Sequence, residues 1–185
     1  IADRSGSAAY PLAARSAAGG LSGPSWRIRV DAERKDNGVY DRGNIIGIDG
    51  MALEGDDEFD MFEPPLIGSG AVSLGFETPD GVNAYDVRPN RETERVGTMV
   101  LRTPEPRIEI TLRLTGIETT GQPVYLFDLD TRTVARLEDG EQLTVNSRNG
   151  VRRFRLVIGS ESFVEQNSDG ISLVPKTTAL HQNFP

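Results

Sequence analysis

The chain has 185 residues, with 20 Gly and 11 Pro, no Cys and a formal net charge of −8 at pH 7. The lack of Cys excludes thiol catalysis, thiolate-bound zinc and disulfides, and the acidic balance disfavours nucleic acid as a partner because phosphates would be repelled on average. No apolar run reaches the ~18 residues that a membrane-spanning helix requires, so no membrane span is expected.

Residues 1–23 are rich in Ala, Ser and Gly and contain few large apolar side chains. This composition predicts a linker or a loosely held arm. Alternating patterns begin after Pro24 and continue to about residue 160. We therefore expect one β-domain over 24–160, followed by a C-terminal extended segment over 161–185.

Three segments alternate apolar and charged residues with period two, at 26–33, 107–114 and 153–158. In the first of them, Trp26, Ile28 and Val30 share one face, and charged residues share the other. This alternation indicates strands with one buried and one wet side. Weaker strands are predicted at 44–48, 71–76, 96–102, 124–128, 133–137 and 142–145.

Turn signals such as Asp36-Asn37-Gly38 and Asp139-Gly140 separate these segments at short intervals, and no long segment keeps a helical apolar period. Many short strands at this spacing are typical of all-β domains. The fold class expected is a two-sheet antiparallel β-sandwich of about eight to ten strands, immunoglobulin-like or jelly-roll.

The irregular stretch 41–65 is dense in carboxylates and is the best candidate for a metal site. Calcium takes 6–8 oxygen ligands, and a loop rich in Asp and Gly suits it chemically. The spacing of an EF-hand is absent, which leaves a solvated acidic loop as the alternative. The candidate calcium ligands are Asp49, Asp56, Asp57 and Asp60. No cofactor is expected to be required.

Other chemistry has weaker support in the sequence. Exposed aromatic rings for carbohydrate binding would come from Trp26, Tyr40, Phe62 or Tyr85, although the alternation places Trp26 in the core. The basic run Arg152, Arg153 and Arg155 is expected mostly on the wet side of a strand. The only histidine, His181, would have to fold back from the tail to build a Ser-His-Asp arrangement.

Two runs, VYLFDLDT at 124–131 and RFRLVIG at 153–159, resemble the module that precedes the C-terminal sorting domain of type IX secretion cargo proteins in Bacteroidota-like bacteria. Upstream of these runs, the Trp26 strand, the acidic loop and EPP at 63–65 occur in the same order as in the proteins that carry this module. The final run, LHQNFP at 180–185, is similar to the opening of the sorting domain itself. The resemblance covers roughly 26–159 and implies a secreted or surface-attached module without catalytic residues.

The function expected is that of a non-catalytic extracellular module of a larger secreted or cell-surface bacterial protein, serving attachment, spacing or assembly, including as a filament or fibre subunit. Its partners would be other domains or subunits of the same surface assembly. One alternative is a carbohydrate-binding accessory module of a secreted hydrolase, with a glycan as partner. A second is a small carboxylate-dependent hydrolase, although 28 acidic residues do not by themselves nominate a catalytic pair.

Overall fold

The computed structural model of the chain describes residues 24–55, 57–148 and 150–173. Eleven strands, one 3₁₀ turn and one short helix lie in these ranges. In chain order they are β1 Trp26–Arg34, β2 Tyr40–Asp49, β3 Met61–Phe62, β4 Ser73–Thr78, β5 Gly81–Pro89, β6 Arg95–Arg102, β7 Glu109–Thr115, the 3₁₀ turn Ile117–Thr120, β8 Val124–Asp128, β9 Thr133–Arg136, β10 Gln142–Asn146, β11 Val151–Ile158 and α1 Glu161–Gln166. The all-β prediction is confirmed, and each of the nine predicted strands has a counterpart.

All the strands belong to one sheet, in the order β10-β7-β1-β2-β5-β4-β6-β11-β8-β9, with β3 pairing to β5. The sheet curls into a half-barrel, so residues from both ends of this order meet in one core. The inward face of β1 shows why: Trp26, Ile28 and Val30 are buried and pack in one cluster with apolar residues of β7 and β11. Period-two alternation thus supplies the core from every part of the sheet.

A separation into two packed antiparallel sheets is not confirmed. The element that joins the two halves is β5, which pairs parallel to β2 from Ile45 opposite Tyr85 to Asp49 opposite Pro89 and forms an antiparallel hairpin with β4. The hydrogen-bond ladder is therefore continuous through β5, and the sheet is mixed. The paired residues of β2 and β5 are 40 positions apart, so no local pattern in the sequence indicates that these two strands are neighbours.

A smaller apolar cluster lies on the outer face of β8 and β11. Val164 of α1 and Ile171 pack there against Tyr125, Phe127 and Val157. Ser160 begins the helix by accepting a hydrogen bond from the Phe163 amide. The described chain thus continues beyond residue 160 with a helix rather than an extended strand. Residues 1–23 and 174–185 lie outside the described residues, and so do the predicted arm and the run at 180–185.

Candidate functional site

The acidic loop contains three of the four predicted calcium ligands within the described residues, while Asp56 lies outside them. Asp57 accepts hydrogen bonds from the amides of Leu53 and Phe59, at 2.5 and 2.7 Å. Asp60 accepts from the amides of Asp57 and Val87, both at 3.3 Å. These two carboxylates therefore hold the turns of the loop together.

Asp49 is the last residue of β2. Its carboxylate accepts from the Met51 amide at 3.0 Å and pairs with the guanidinium of Arg27 at 3.2 Å. Among the described residues, no three acidic or histidine side chains are grouped so as to hold a metal ion. The four-residue calcium set, with Asp56 included, stays a prediction.

The other sequence candidates do not form a common site. Trp26 is 3% exposed and lies in the core, as its alternation predicts. Tyr40 and Phe62 are exposed, and the Arg42 guanidinium lies 3.8 Å from the centre of the Tyr40 ring. Tyr85 is half-buried.

The basic run of β11 is divided between the two faces of the sheet. Arg153 and Arg155 point outward and pair with Glu77 and Asp169. The prediction of a wet face is wrong for Arg152, which is 1% exposed and pairs with the buried Asp128. Each guanidinium of this run thus has a carboxylate partner, so the three do not form an unpaired basic patch.

A polar cleft that the sequence analysis missed lies between the starts of β2 and β4. Both strands border β5, but β2 pairs with it only from Ile45 onward and β4 only from Phe76 onward. The backbone of the earlier residues has no β5 partner there. Instead the amide of Leu74 donates to the carboxylate of Asp41, at 2.6 Å.

Four polar side chains belong to this cleft, and we call them the cleft residues: Asp41, Asn44, Glu63 and Ser73. Ser73 donates a hydrogen bond to Glu63, and the amide of Asn44 lies beside Asp41. Asn83 lies on β5 where Phe62 of β3 and Phe76 of β4 are its register partners. β2, β4 and the residue after β3 thus bring together side chains that are up to 32 positions apart.

Burial dominates the electrostatics of the cleft. It raises the pKa of Glu63 to about 7, with a further increase from the nearby carboxylate of Asp41, while Ser73 and Arg102 act in the opposite direction. Burial also raises the pKa of Asp41. Two carboxyl groups that share a partly desolvated site resist simultaneous ionisation unless a proton or a cation accompanies them.

A buried amide on the neighbouring strand β5 lacks hydrogen-bond partners. Asn44 and Asn83 are each 1% exposed. The Asn44 side chain hydrogen-bonds the carboxylate of Asp41, whereas the nitrogen and the oxygen of the Asn83 side chain have no hydrogen-bond partner within the structure as described. Such groups cost roughly 1–3 kcal/mol each when left unmet, which makes this region unusual in a well-packed domain.

A second polar feature is a depression of about 610 Å³ on the outer face of β2, β1, β7 and β10. Outward residues of adjacent strands line it, because Asp31 lies opposite Arg113 and Arg113 lies opposite Gln142. The other charged lining residues are Arg29, Glu33 and Arg42. Guanidinium, carboxylate, hydroxyl and amide groups together offer both donors and acceptors to a polar ligand.

Comparisons with known proteins find no match for the chain among protein-family models, curated proteins or solved structures. The likeness to the type IX secretion module therefore rests on the sequence runs described above. Within the described ranges, neither helical segment has the length and apolar character needed to cross a membrane.

Proposed function

We propose that the chain is a non-catalytic extracellular module of a larger secreted or cell-surface bacterial protein, serving attachment, spacing or assembly. The observation that supports this most directly is the apolar core that fills the curve of the half-barrel. Apolar side chains from eight strands occupy it. A buried Arg–carboxylate pair lies near each end of the β6–β11 ladder, where Arg152 is opposite Leu101 and Arg95 is opposite Ile158.

This construction suits a rigid spacer. The ladder between β6 and β11 joins strands that are distant in sequence. The outward arginines of β11 are paired with carboxylates, so the module presents a mixed polar surface to its neighbours. The type IX resemblance supplies the rest of the proposal, namely export and a place next to a sorting domain. A surface assembly of the same parent protein is the partner that follows from it.

The location is tested on intact cells of the source bacterium, with an antibody against this chain. We expect external protease to remove the epitope without lysis, while a cytoplasmic marker protein stays intact. An epitope that is protected until the cells are lysed would contradict the extracellular assignment.

The depression on the outer face favours a carbohydrate-binding module as the second candidate function. Arg113 stands in its middle, between Asp31 and Gln142. A glycan array with the wild-type chain and Arg113→Ala tests this, with Arg153→Ala of the opposite sheet half as the control. Binding that Arg113→Ala abolishes and Arg153→Ala leaves intact would establish the carbohydrate function.

The raised pKa of Glu63 is a feature that a carboxylate-dependent hydrolase would share, because a general acid works best with a pKa near the operating pH. A broad hydrolase screen with wild type and Glu63→Gln addresses it. We expect no activity in either protein. Turnover in wild type that disappears in Glu63→Gln would replace the non-catalytic proposal.

A further inference from the structure

The start of the first strand and the end of the last strand lie at the same end of the half-barrel. β1 begins at Trp26, and the next residue, Arg27, lies opposite Gly47 of β2. The carbonyl of Gly47 accepts a hydrogen bond from Arg95 at 2.9 Å, and Arg95 lies opposite Ile158, the last residue of β11. We call this end of the half-barrel the entry end.

Residues 159–173, which we call the strap, lead the chain away from the entry end over the outer face of β8 and β11. β8 runs away from the entry end, because Val124 at its start lies opposite Ile158. In the strap, the carbonyl of Asp169 accepts a hydrogen bond at 3.3 Å from Arg132, in the turn that follows β8. The strap therefore takes the chain towards the end of the half-barrel opposite to the entry end.

The strap is attached to the sheet at several points along its length. Val164 and Ile171 bury their side chains against the outward apolar residues of β8 and β11. Arg155 of β11 donates to the carbonyl of Asn167 at 3.2 Å and pairs with the carboxylate of Asp169. Apolar burial and an arginine of the preceding strand thus hold the strap in place together.

The strap determines how tension along the chain acts on the sheet. Tension between Trp26 and Ile158 pulls on strand ends that lie at the same end, so it opens the ladder one hydrogen bond after another. Tension between Trp26 and Asp169 runs along the strands instead. Because the bonds of an antiparallel ladder are perpendicular to the strands, this direction acts on many bonds of β1 with β2 and β7 at once.

Two buried arginines connect strands that are not neighbours in the sheet. Arg95 of β6 donates to the carbonyl of Gly47 in β2, and Arg152 of β11 donates to that of Asn146 in β10. Both arginines are at most 9% exposed, so water competes little for these bonds. They hold the curl of the sheet closed when the strands are pulled along their length.

We propose that the module bears tension along its parent chain, and that the strap directs this tension along the strands rather than across their ends. The inference rests on the proposed role as a spacer in a surface assembly, where neighbouring domains or subunits pull on the chain from both sides. Resistance to such a pull is set by the rate of forced unfolding and not by equilibrium stability.

The test is single-molecule pulling of the full chain, through handles on introduced cysteines, because the chain has no Cys of its own. One protein has Ser25→Cys and Ser172→Cys, so that the strap lies between the handles. The other has Ser25→Cys and Glu161→Cys, which places both handles at the entry end. At equal pulling speed we expect the unfolding force of the first protein to be at least about twofold higher.

A substitution in the strap tests its part separately. Ile171→Asp, added to the Ser172→Cys protein, should lower the unfolding force to that of the entry-end protein, because it weakens the apolar attachment. Ser162→Asp adds the same charge at an exposed position of the strap and should leave the force unchanged. The main core contains no strap residue, so the β-domain of both variants remains folded for the measurement.

Three results would overturn the proposal. The first is an equal unfolding force for the two handle positions. The second is release of the strap in a separate step at low force, followed by unfolding at the force of the entry-end protein. The third is an unchanged force in Ile171→Asp. Each would leave the extracellular location, which the protease experiment tests, unaffected.

Discussion

At the scale of single residues, three buried arginines each bind two kinds of acceptor, which a lysine could not do equally well. Of the 20 basic residues only Lys35 and Lys176 are lysines. Arg34, Arg95 and Arg152 are each at most 9% exposed, and each donates to a carboxylate and to a backbone carbonyl. A planar guanidinium reaches both kinds of acceptor at once, whereas an ammonium group is a compact and strongly hydrated charge.

The neighbours Arg152 and Arg153 allow the cost of such burial to be measured on one strand. Arg152→Met should lower the free energy of unfolding by about 3–5 kcal/mol, because it leaves the buried Asp128 without its cation. Arg153→Met removes an exposed pair with Glu77 and should cost at most about 1 kcal/mol. Urea unfolding followed by the fluorescence of Trp26, the only tryptophan, measures both.

Equal losses in the two variants would contradict this account. They would mean that Asp128 remains adequately satisfied by the amides of Asp130 and Thr131, at 3.0 and 3.2 Å. Those bonds form the turn after β8, and the pairing of Asp128 with Arg152 is a contact that sequence reasoning did not find.

At the scale of elements, the 3₁₀ turn Ile117–Thr120 shows how a close backbone approach differs from a simple turn. Glycines with positive φ stand on both sides of it, Gly116 at 86° and Gly121 at 63°. A Cβ at Gly116 would overlap the carbonyl oxygen of Arg27 in β1, while one at Gly121 would have nothing within 4 Å. Gly116 thus lets the turn pack on β1.

Alanine substitution separates the two effects. Gly121→Ala should cost about 1–2 kcal/mol, the strain of a left-handed backbone at a residue with a side chain. Gly116→Ala adds displacement of β1 to that strain, so we expect a loss of roughly 2–5 kcal/mol. Urea unfolding curves give both values. If Gly116→Ala lowers the free energy of unfolding no more than Gly121→Ala does, the turn can move away from β1 without penalty.

At the scale of the whole molecule, the titrating groups divide into two sets with opposite effects on stability. Hydrogen bonds from Arg34 lower the pKa of Asp36 and Glu105, a hydrogen bond from Arg155 lowers that of Asp169, and Ser160 lowers that of Glu94. Burial raises the pKa of Glu63, Asp41 and Asp60. The first set stabilises the fold above pH ~4, and this stabilisation is lost as the pH falls.

The second set has the opposite sign. Glu63 has a pKa of about 7 in the folded state against 4.5 as its ordinary value, so its contribution is full below pH 4.5 and is lost as the pH rises through 7. We therefore expect maximal stability near pH 5. Between pH 5 and pH 8 the free energy of unfolding should fall by roughly 1–3 kcal/mol through Glu63, given about 1.4 kcal/mol per pKa unit and its partial exposure.

Urea unfolding across pH 4–9 measures this profile. Glu63→Gln should flatten the decline above pH 5, and the exposed control Glu118→Gln should leave it unchanged. A stability that rises steadily from pH 5 to pH 8 in wild type would contradict the burial of Glu63.

Much of the β-structure was determined by the sequence itself. The alternation of β1, β7 and β11 defines which side chains face inward, because successive side chains of a strand point to opposite faces. Turn residues then separate the strands, and β8 and β9 form where strands were predicted and pair antiparallel. These features are local, so neighbouring residues along the chain are sufficient to predict them.

The tertiary structure alone decided which strands become neighbours and what their polar inward side chains meet. β5 was missed because Asn83 and Asp86 interrupt its apolar pattern, yet both are buried. Alternation encodes the face of a side chain but not the strand beside it, and so the pairing of β2 with β5 and the meeting of Asp41 with Glu63 have no local signal. Both arise because the sheet curls around one core and makes β5 the link between its two halves.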